Sequence, residues 1–307
     1  MRIIYNANFN CLHNIICSIA NYWSRDYELI TLETWGFKFE NDNHVVDEKL
    51  QLSWSGQFEW RNYILENYHG IRFMVKNKDE VKLQNGENSK IFAFYTDAYE
   101  CSWLPLYKNI HRQHVCVIAQ YEDGICYCID DTSGESEIHI FSVDKVLEMA
   151  TSIIILQKVK EPIVDKYVCI NLLRELIERR ANMHVESQLK SFGAFLVNTS
   201  IEEILPDGPY KSQLLMRLKN ISSDRRNMIV GLNYIGRICG EQVLQINDIC
   251  ESLSKKYDLI RVYLIKKFFQ KSKIEKWYID KVIKEIIELE ADVELKIRDY
   301  AGDNFYD

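Results

Sequence analysis

The sequence predicts an α+β domain over residues 1–160 followed by an all-helical domain over 161–307. Two observations predict it. Short apolar runs rich in β-branched and aromatic residues, bounded by turn residues, fill the first half. From Val164 onward the texture changes to long stretches with apolar residues at helical spacing. Pro162 marks the end of the last strand-like run. A chain of 307 residues has ample material for a core in each part.

The elements follow in chain order. The stretch from Asn10 to Tyr27 opens on a capping residue. It carries apolar side chains at 12, 15, 16, 19, 20 and 23, the broad stripe of an amphipathic helix. Tyr27 to Phe39 is rich in aromatic and β-branched residues, and Leu50 to Gly56 follows. Tyr63 to Tyr68 reads as a helix, with Gly70 just past its end. Ile71 to Val75 alternates as a strand should, Asp79 to Leu83 reads as a short helix, and Gln84 to Asn88 as a turn. Lys90 to Asp97 is a buried strand.

An aromatic connector, Ala98 to Arg112, leads into two strands, His114 to Tyr121 and Gly124 to Asp130, joined by a Glu-Asp-Gly turn. A turn at Ser133-Gly-Glu, a short strand from Glu137 to Phe141, a helix capped by Ser142 and a strand from Ser152 to Gln157 complete the first half. Helical spacing then covers 166–195, 210–220, 224–239, 241–271 and 273–299, with Pro206-Asp-Gly-Pro209 as the clearest interruption. Leu172, Leu173, Leu176 and Ile177 form one apolar stripe, and Tyr257, Ile260, Leu264 and Phe268 another. The helix around 241–271 is long enough to pack internally or across a homodimer.

Composition narrows the class. With 47% hydrophobic and 27% charged residues and a mean hydropathy of −0.24, the chain has the make-up of a soluble globular protein. A net charge of −7 argues against nucleic acid as the main partner. The basic clusters Arg179-Arg180 and Lys266 to Lys271 lie in helical stretches and read as solvated faces. No apolar run approaches a membrane span, and Met1 to Asn8 is too polar for a secretory signal. Nine cysteines, several in apolar contexts, then read as reduced thiols of a cytoplasmic protein rather than a disulfide framework. Cys126 and Cys128 share a strand face without a second ligand pair. His111 and His114 have a metal-binding spacing only on a helix, and no third ligand is near. No metal or cofactor is expected.

The chemistry concentrates in Cys11, His114 and Asp130. At the first turn of a helix, Cys11 feels the positive end of the dipole, which favours thiolate. Its plain alternative is to be one more small residue of the apolar stripe. His114 begins a strand, and Asp130 lies sixteen positions on, across a hairpin, where a carboxylate reaches an imidazole nitrogen and orients it. Asp131 falls on the opposite face by alternation. His13, two residues beyond Cys11 on a helix, faces away from it, and Cys17 and Cys116 read as core. A nucleophilic cysteine also needs oxyanion donors, for which Asn6, Asn8 and Asn10 are the candidates.

Cysteine at a helix start, then His, then a carboxylate on the next strand is the chain order of papain-like cysteine enzymes. Over residues 5 to 160 the sequence resembles the butirosin biosynthesis protein H family. The features are Cys11 opening its helix, the Tyr27 to Phe39 segment with Trp35-Gly-Phe, the strand ending in Asp97, and His111-x-x-His114 leading through a Gly turn to Asp130. The resemblance implies a papain-like N-terminal domain and a cysteine acyltransferase of specialised-metabolite biosynthesis. In this chain Cys11 would be the nucleophile, His114 the base and then acid, and Asp130 the orienting group. An acyl or peptidyl carrier protein would be the thioester donor and a small-molecule amine the acceptor. The segment Tyr5-Asn6-Ala7-Asn8 lacks the glutamine that related peptidases carry before the cysteine, which favours transfer over proteolysis. A cysteine hydrolase, thioesterase or peptidase, on the same scaffold, and a catalytically silent binding module, are the alternatives.

Overall fold

The computed structural model describes residues 1–41, 50–53, 57–83, 89–130, 137–240 and 244–303. In chain order the helices are α1 (Cys11–Tyr22), α2 (Gln57–Asn67), α3 (Val143–Met149), α4 (Lys166–Ala181), α5 (Val185–Asn198), α6 (Ile201–Ile204), α7 (Gln213–Cys239), α8 (Leu244–Gln270) and α9 (Lys276–Asp303). The strands are β1 (Lys38–Asn41), β2 (Leu50–Ser53), β3 (Ile71–Lys76), β4 (Lys90–Asp97), β5 (Gln113–Glu122), β6 (Ile125–Ile129), β7 (Ile138–Ser142) and β8 (Ala150–Lys158). The architecture is α+β with a helical C-terminal region. The turn expected at Gln84 to Asn88, the turn at Ser133-Gly-Glu, and Asp131 lie outside the described residues.

The chain divides into two compact units: Met1–Tyr27 with Glu59–Ile163, and Glu28–Phe58 with Val164–Asp307. The expected first domain, residues 1–160, departs from this division by the Glu28–Phe58 segment.

The first unit is built on a six-stranded antiparallel sheet in the order β3-β8-β4-β5-β6-β7. Strands β4 and β8 carry unbroken buried runs, 92–96 and 153–156, because both faces of the sheet are covered there. One core cluster joins Phe92, Phe94, Cys116, Ile118, Cys128, Val146, Ile153 and Ile155. Each such side chain, once withdrawn from water, contributes about 1.5–3 kcal/mol. The β5–β6 hairpin turns on Asp123 and Gly124, at φ 47° and 82°. Two successive left-handed residues give the twist of a two-residue hairpin, which Asp-Gly favours. Gly70 (φ +67°) directly precedes β3; a Cβ there would lie 2.1 Å from the Lys160 carbonyl oxygen, so no other residue fits.

The second unit is helical, with the short β1–β2 ribbon and a 3-10 turn, Glu28–Thr34, that packs on α7. Its centre is a buried charge network. Glu290 of α9 accepts from Arg225 Nε (2.9 Å), Trp35 Nε1 (2.9 Å) and Tyr257 Oη (3.1 Å), and pairs with Arg180 (3.0 Å). Arg225 also donates to the carbonyls of Thr34 (3.0 Å) and Gly36 (2.8 Å). These bonds tie the aromatic Trp35 segment to the helices. The solvated faces expected for Arg180 and Lys267 are therefore corrected. Arg180 is buried against Glu290 and over the Trp35 ring, and Lys267 is buried beside Glu275.

Two helix boundaries also differ from expectation. The stretch 166–195 is two helices, α4 and α5, broken at His184, whose φ of 50° no helix accommodates. Conversely, 210–220 and 224–239 are one helix. Ser222, a weak helix former, is held within it by α8: its hydroxyl bonds Ser254 O (3.0 Å) and Asp258 Oδ2 (3.0 Å). On α7, a Cβ at Gly231 would sit 2.8 Å from Leu32 and from Thr31 Oγ1. Gly231→Val should lower stability by about 1–3 kcal/mol, seen as a lower urea midpoint. An unchanged midpoint would mean that this close approach is absent.

Candidate active site

Local sequence sets the position of Cys11, the candidate nucleophile. Asn10 has extended backbone (φ −78°, ψ 167°), and its Oδ1 accepts the His13 N–H at 2.8 Å, so α1 starts at Cys11. The apolar stripe buries Ile15, Ile16 and Ile19 completely, while Cys11 at the end stays half-buried and accessible. Helix α1 packs against β5, the strand that carries His114.

The register of the sheet sets the other two residues. Val117 pairs with Ile129. Continuing that register by one step puts 130 opposite Cys116, diagonally across from His114. Residues two apart on a strand share a face, so Asp130 meets both side chains. His114 Nε2 lies 2.7 Å from Asp130 Oδ2, and the Cys116 thiol donates to the same oxygen at 3.5 Å. Trp103 Nε1 donates to it as well, at 2.7 Å, with its indole stacked on His139. Asp130 is 1% exposed and His114 8%, so these bonds are formed away from water.

With Nε2 engaged by Asp130, Nδ1 is the ring nitrogen left for another partner, and Cys11 lies close enough to favour the charged imidazole. His114 and Asp130 thus form a hydrogen-bonded pair, with Cys11 near enough to interact with the imidazole. Burial works against a charge on His114, but the bonds and charges of Asp130 and Cys11 outweigh it and push the imidazolium up to about 10. Burial likewise opposes ionisation of Asp130, and His114, Trp103 and Cys116 hold its carboxyl below the usual range.

These shifts set a pH dependence of stability. The His114 term is fully present below the unfolded imidazole value, about 6.5, and is lost as pH rises towards about 10. The Asp130 term is present above about 3.9 and is lost on further acidification. Between pH 6.5 and 10 the wild type should lose stability with a slope of up to about 1.4 kcal/mol per pH unit. His114→Gln should show a flatter profile in urea titrations, and parallel profiles would contradict the pairing.

The asparagine candidates are engaged locally. Asn10 is the helix cap. Asn6 Oδ1 accepts the Asn8 N–H (2.9 Å), and the Asn6 N–H donates to Asn14 Oδ1 (3.0 Å). The carboxamide oxygens of Asn6 and Asn10 are thereby occupied, which orients their NH2 groups, the part an oxyanion would use. Asn8 is half-buried. His13 is buried against Phe9, and Cys17 is core. His111 is an exposed partner of Asp97 (2.7 Å) stacked on Tyr99, a surface role.

Three residues of the site were given no part in it by the sequence. Cys116, read as core, is fully buried but also touches Asp130. Strand alternation from His114 was the available signal. Trp103 sits in an irregular connector and gave none. Tyr95 is close enough to Cys11 to feel a charge there, and burial pushes its hydroxyl up. The donor atoms of His114, Cys116 and Asp130 lie within 4.8 Å of one another, the spacing of metal ligands. Asp130 Oδ2 is the atom that both His114 and Cys116 meet. No protein-family model matches the chain, and no curated protein matches it.

Proposed function

We propose that the protein is a cysteine acyltransferase with a papain-like first unit, related to the butirosin biosynthesis protein H family. On this reading it moves an acyl group from a carrier-protein thioester to a small-molecule amine. The observation that carries the reading is the buried hydrogen bond between His114 and Asp130, with the half-buried Cys11 close to the imidazole.

The steps follow from that arrangement. The Cys11 thiolate attacks the thioester carbonyl, and the tetrahedral oxyanion gathers at the start of α1. Collapse breaks the carbon–sulfur bond of the donor, and His114 gives its Nδ1 proton to the departing thiolate. The acceptor amine then attacks the Cys11 thioester while His114 takes a proton from nitrogen. Collapse releases the amide and restores thiolate and imidazolium. Throughout, Asp130 holds the ring by Nε2 and stabilises its charge. Water in place of the amine turns the same steps into hydrolysis.

Intact-mass spectrometry with an acylated carrier protein tests this. The acyl mass should appear on wild type and be absent from Cys11→Ala. An adduct that survives Cys11→Ala and disappears only with Cys17 or Cys116 replaced would refute the assignment. Product without an amine would favour the hydrolase. Iodoacetamide labelling of Cys11 no faster than an ordinary exposed thiol would favour a silent binding module.

A further inference from the structure

The strand pairing that builds the candidate site also brings a sulfur to it. Alternation puts His114 and Cys116 on one face of β5, and Asp130, just past the end of β6, meets both. The ligand atoms of these three side chains lie within 4.8 Å of one another, and among the described residues no other three His, Cys, Asp or Glu side chains converge in this way. Asp130 Oδ2 is 2.7 Å from His114 Nε2 and 3.5 Å from Cys116 Sγ. The second oxygen, Oδ1, is buried and has no hydrogen-bond partner among the described residues. An imidazole nitrogen, a thiolate and a carboxylate are the donors of tetrahedral zinc sites.

Size and charge both fit such an ion. Around tetrahedral Zn2+ neighbouring N, O and S ligands lie roughly 3.3–3.6 Å apart. The Cys116–Asp130 distance already has that length, and the His114–Asp130 distance has to open by about 0.6 Å as a proton gives way to the ion. A protonated His114, an ionised Asp130 and a neutral Cys116 thiol sum to zero charge. Zn2+ with a neutral imidazole, a carboxylate and a thiolate also sums to zero. Exchanging two protons for one ion therefore adds no net charge to a place where Asp130 is 1% exposed and Cys116 0%. Trp103 Nε1, 2.7 Å from Asp130 Oδ2, supplies the hydrogen bond that orients a ligating carboxylate.

We propose that His114, Cys116 and Asp130 form a binding site for Zn2+, which competes with the protons of the His114–Asp130 pair and switches the candidate active site off. His114 ligates through Nε2 as a neutral imidazole, so the imidazolium that favours the Cys11 thiolate is lost. Binding stands on the positions of the three side chains; only its effect on acyl transfer rests on that reading.

Cobalt(II) reports the site, because thiolate ligation gives it a near-ultraviolet charge-transfer band and a tetrahedral field gives it strong visible bands. Full-length Cys11→Ala protein titrated with Co2+ should develop both at one ion per chain, and Zn2+ should bleach them. Adding Cys116→Ala, with the fold checked by circular dichroism, should remove the charge-transfer band. Calorimetry of the Cys11→Ala protein in buffers of different ionisation enthalpy needs no change at Cys116, and two protons should leave for each Zn2+ bound. In the wild type, Zn2+ should slow iodoacetamide alkylation of Cys11 roughly 10²-fold, and this slowing should vanish in Cys116→Ala. No charge-transfer band in Cys11→Ala, or a band that survives Cys116→Ala, would overturn the proposal. So would equal protection of Cys11 in the Cys116→Ala protein, which would put the ion on Cys11 itself. Acyl transfer is read separately in metal-free buffer, so the two readings fail independently.

Discussion

Asp130→Ala should slow alkylation of Cys11 by iodoacetamide, and the proposed acyl-enzyme formation with it, by roughly 10³-fold at neutral pH. The reason lies in the balance at His114. Burial disfavours its charge, and the bond to Asp130 leads the interactions that reverse this. Without the carboxylate, desolvation prevails, the ring is neutral at pH 7, and Cys11 loses its cationic partner. Asp130→Asn keeps an oxygen to accept from Nε2 and should lose less. Trp103→Phe keeps an aromatic ring against His139 but removes the 2.7 Å donor to Asp130. It should slow alkylation by about 10-fold, as the carboxylate loses one of the bonds that fix its position against His114. Wild-type rates in Asp130→Ala would show that Cys11 reacts independently of the dyad.

The largest effect on stability is expected in the other unit. Arg225→Met should cost about 3–5 kcal/mol in urea denaturation. It strips Glu290 of a guanidinium in a site where Arg225 is 0% exposed and Glu290 1%. It also leaves the Thr34 and Gly36 carbonyls without their donors. Replacing both charges, Arg225→Met with Glu290→Met, should recover part of the loss, because Glu290 no longer needs a cation and Arg180 keeps Glu294 as its acidic partner. A single variant costing less than about 1 kcal/mol would mean that water reaches this network. The same pair anchors Trp35, so fluorescence of the Arg225→Met protein should report a more solvated indole.

The contrast between these sites tracks what was legible in the chain. Cys11, His114 and Asp130 were legible because each sits on a local signal: a helix cap, a strand start, and the end of a hairpin set by Asp-Gly. Local backbone chemistry writes those signals within a few residues. The helix broken at His184 and the helix continued through Ser222 were not legible. One turns on a single left-handed residue, and the other on hydroxyl bonds to Ser254 and Asp258 more than thirty positions away. Propensity is a weak prior, and a tertiary partner overrides it.

By itself, then, the sequence determined the α+β order of elements, the helical C-terminal region, the strands β4 to β6 and the cap that exposes Cys11. These depend on periodicity and on turn residues, which are short-range. Only the tertiary structure decided that 130 lies diagonal to His114 rather than opposite it, so that Cys116 and Trp103 share its oxygen. It also placed the Glu28–Phe58 segment with the helical unit, and brought Arg180 and Arg225 inside around Glu290. A buried charge is stable only where partners from distant parts of the chain converge on it, and no local pattern records that convergence.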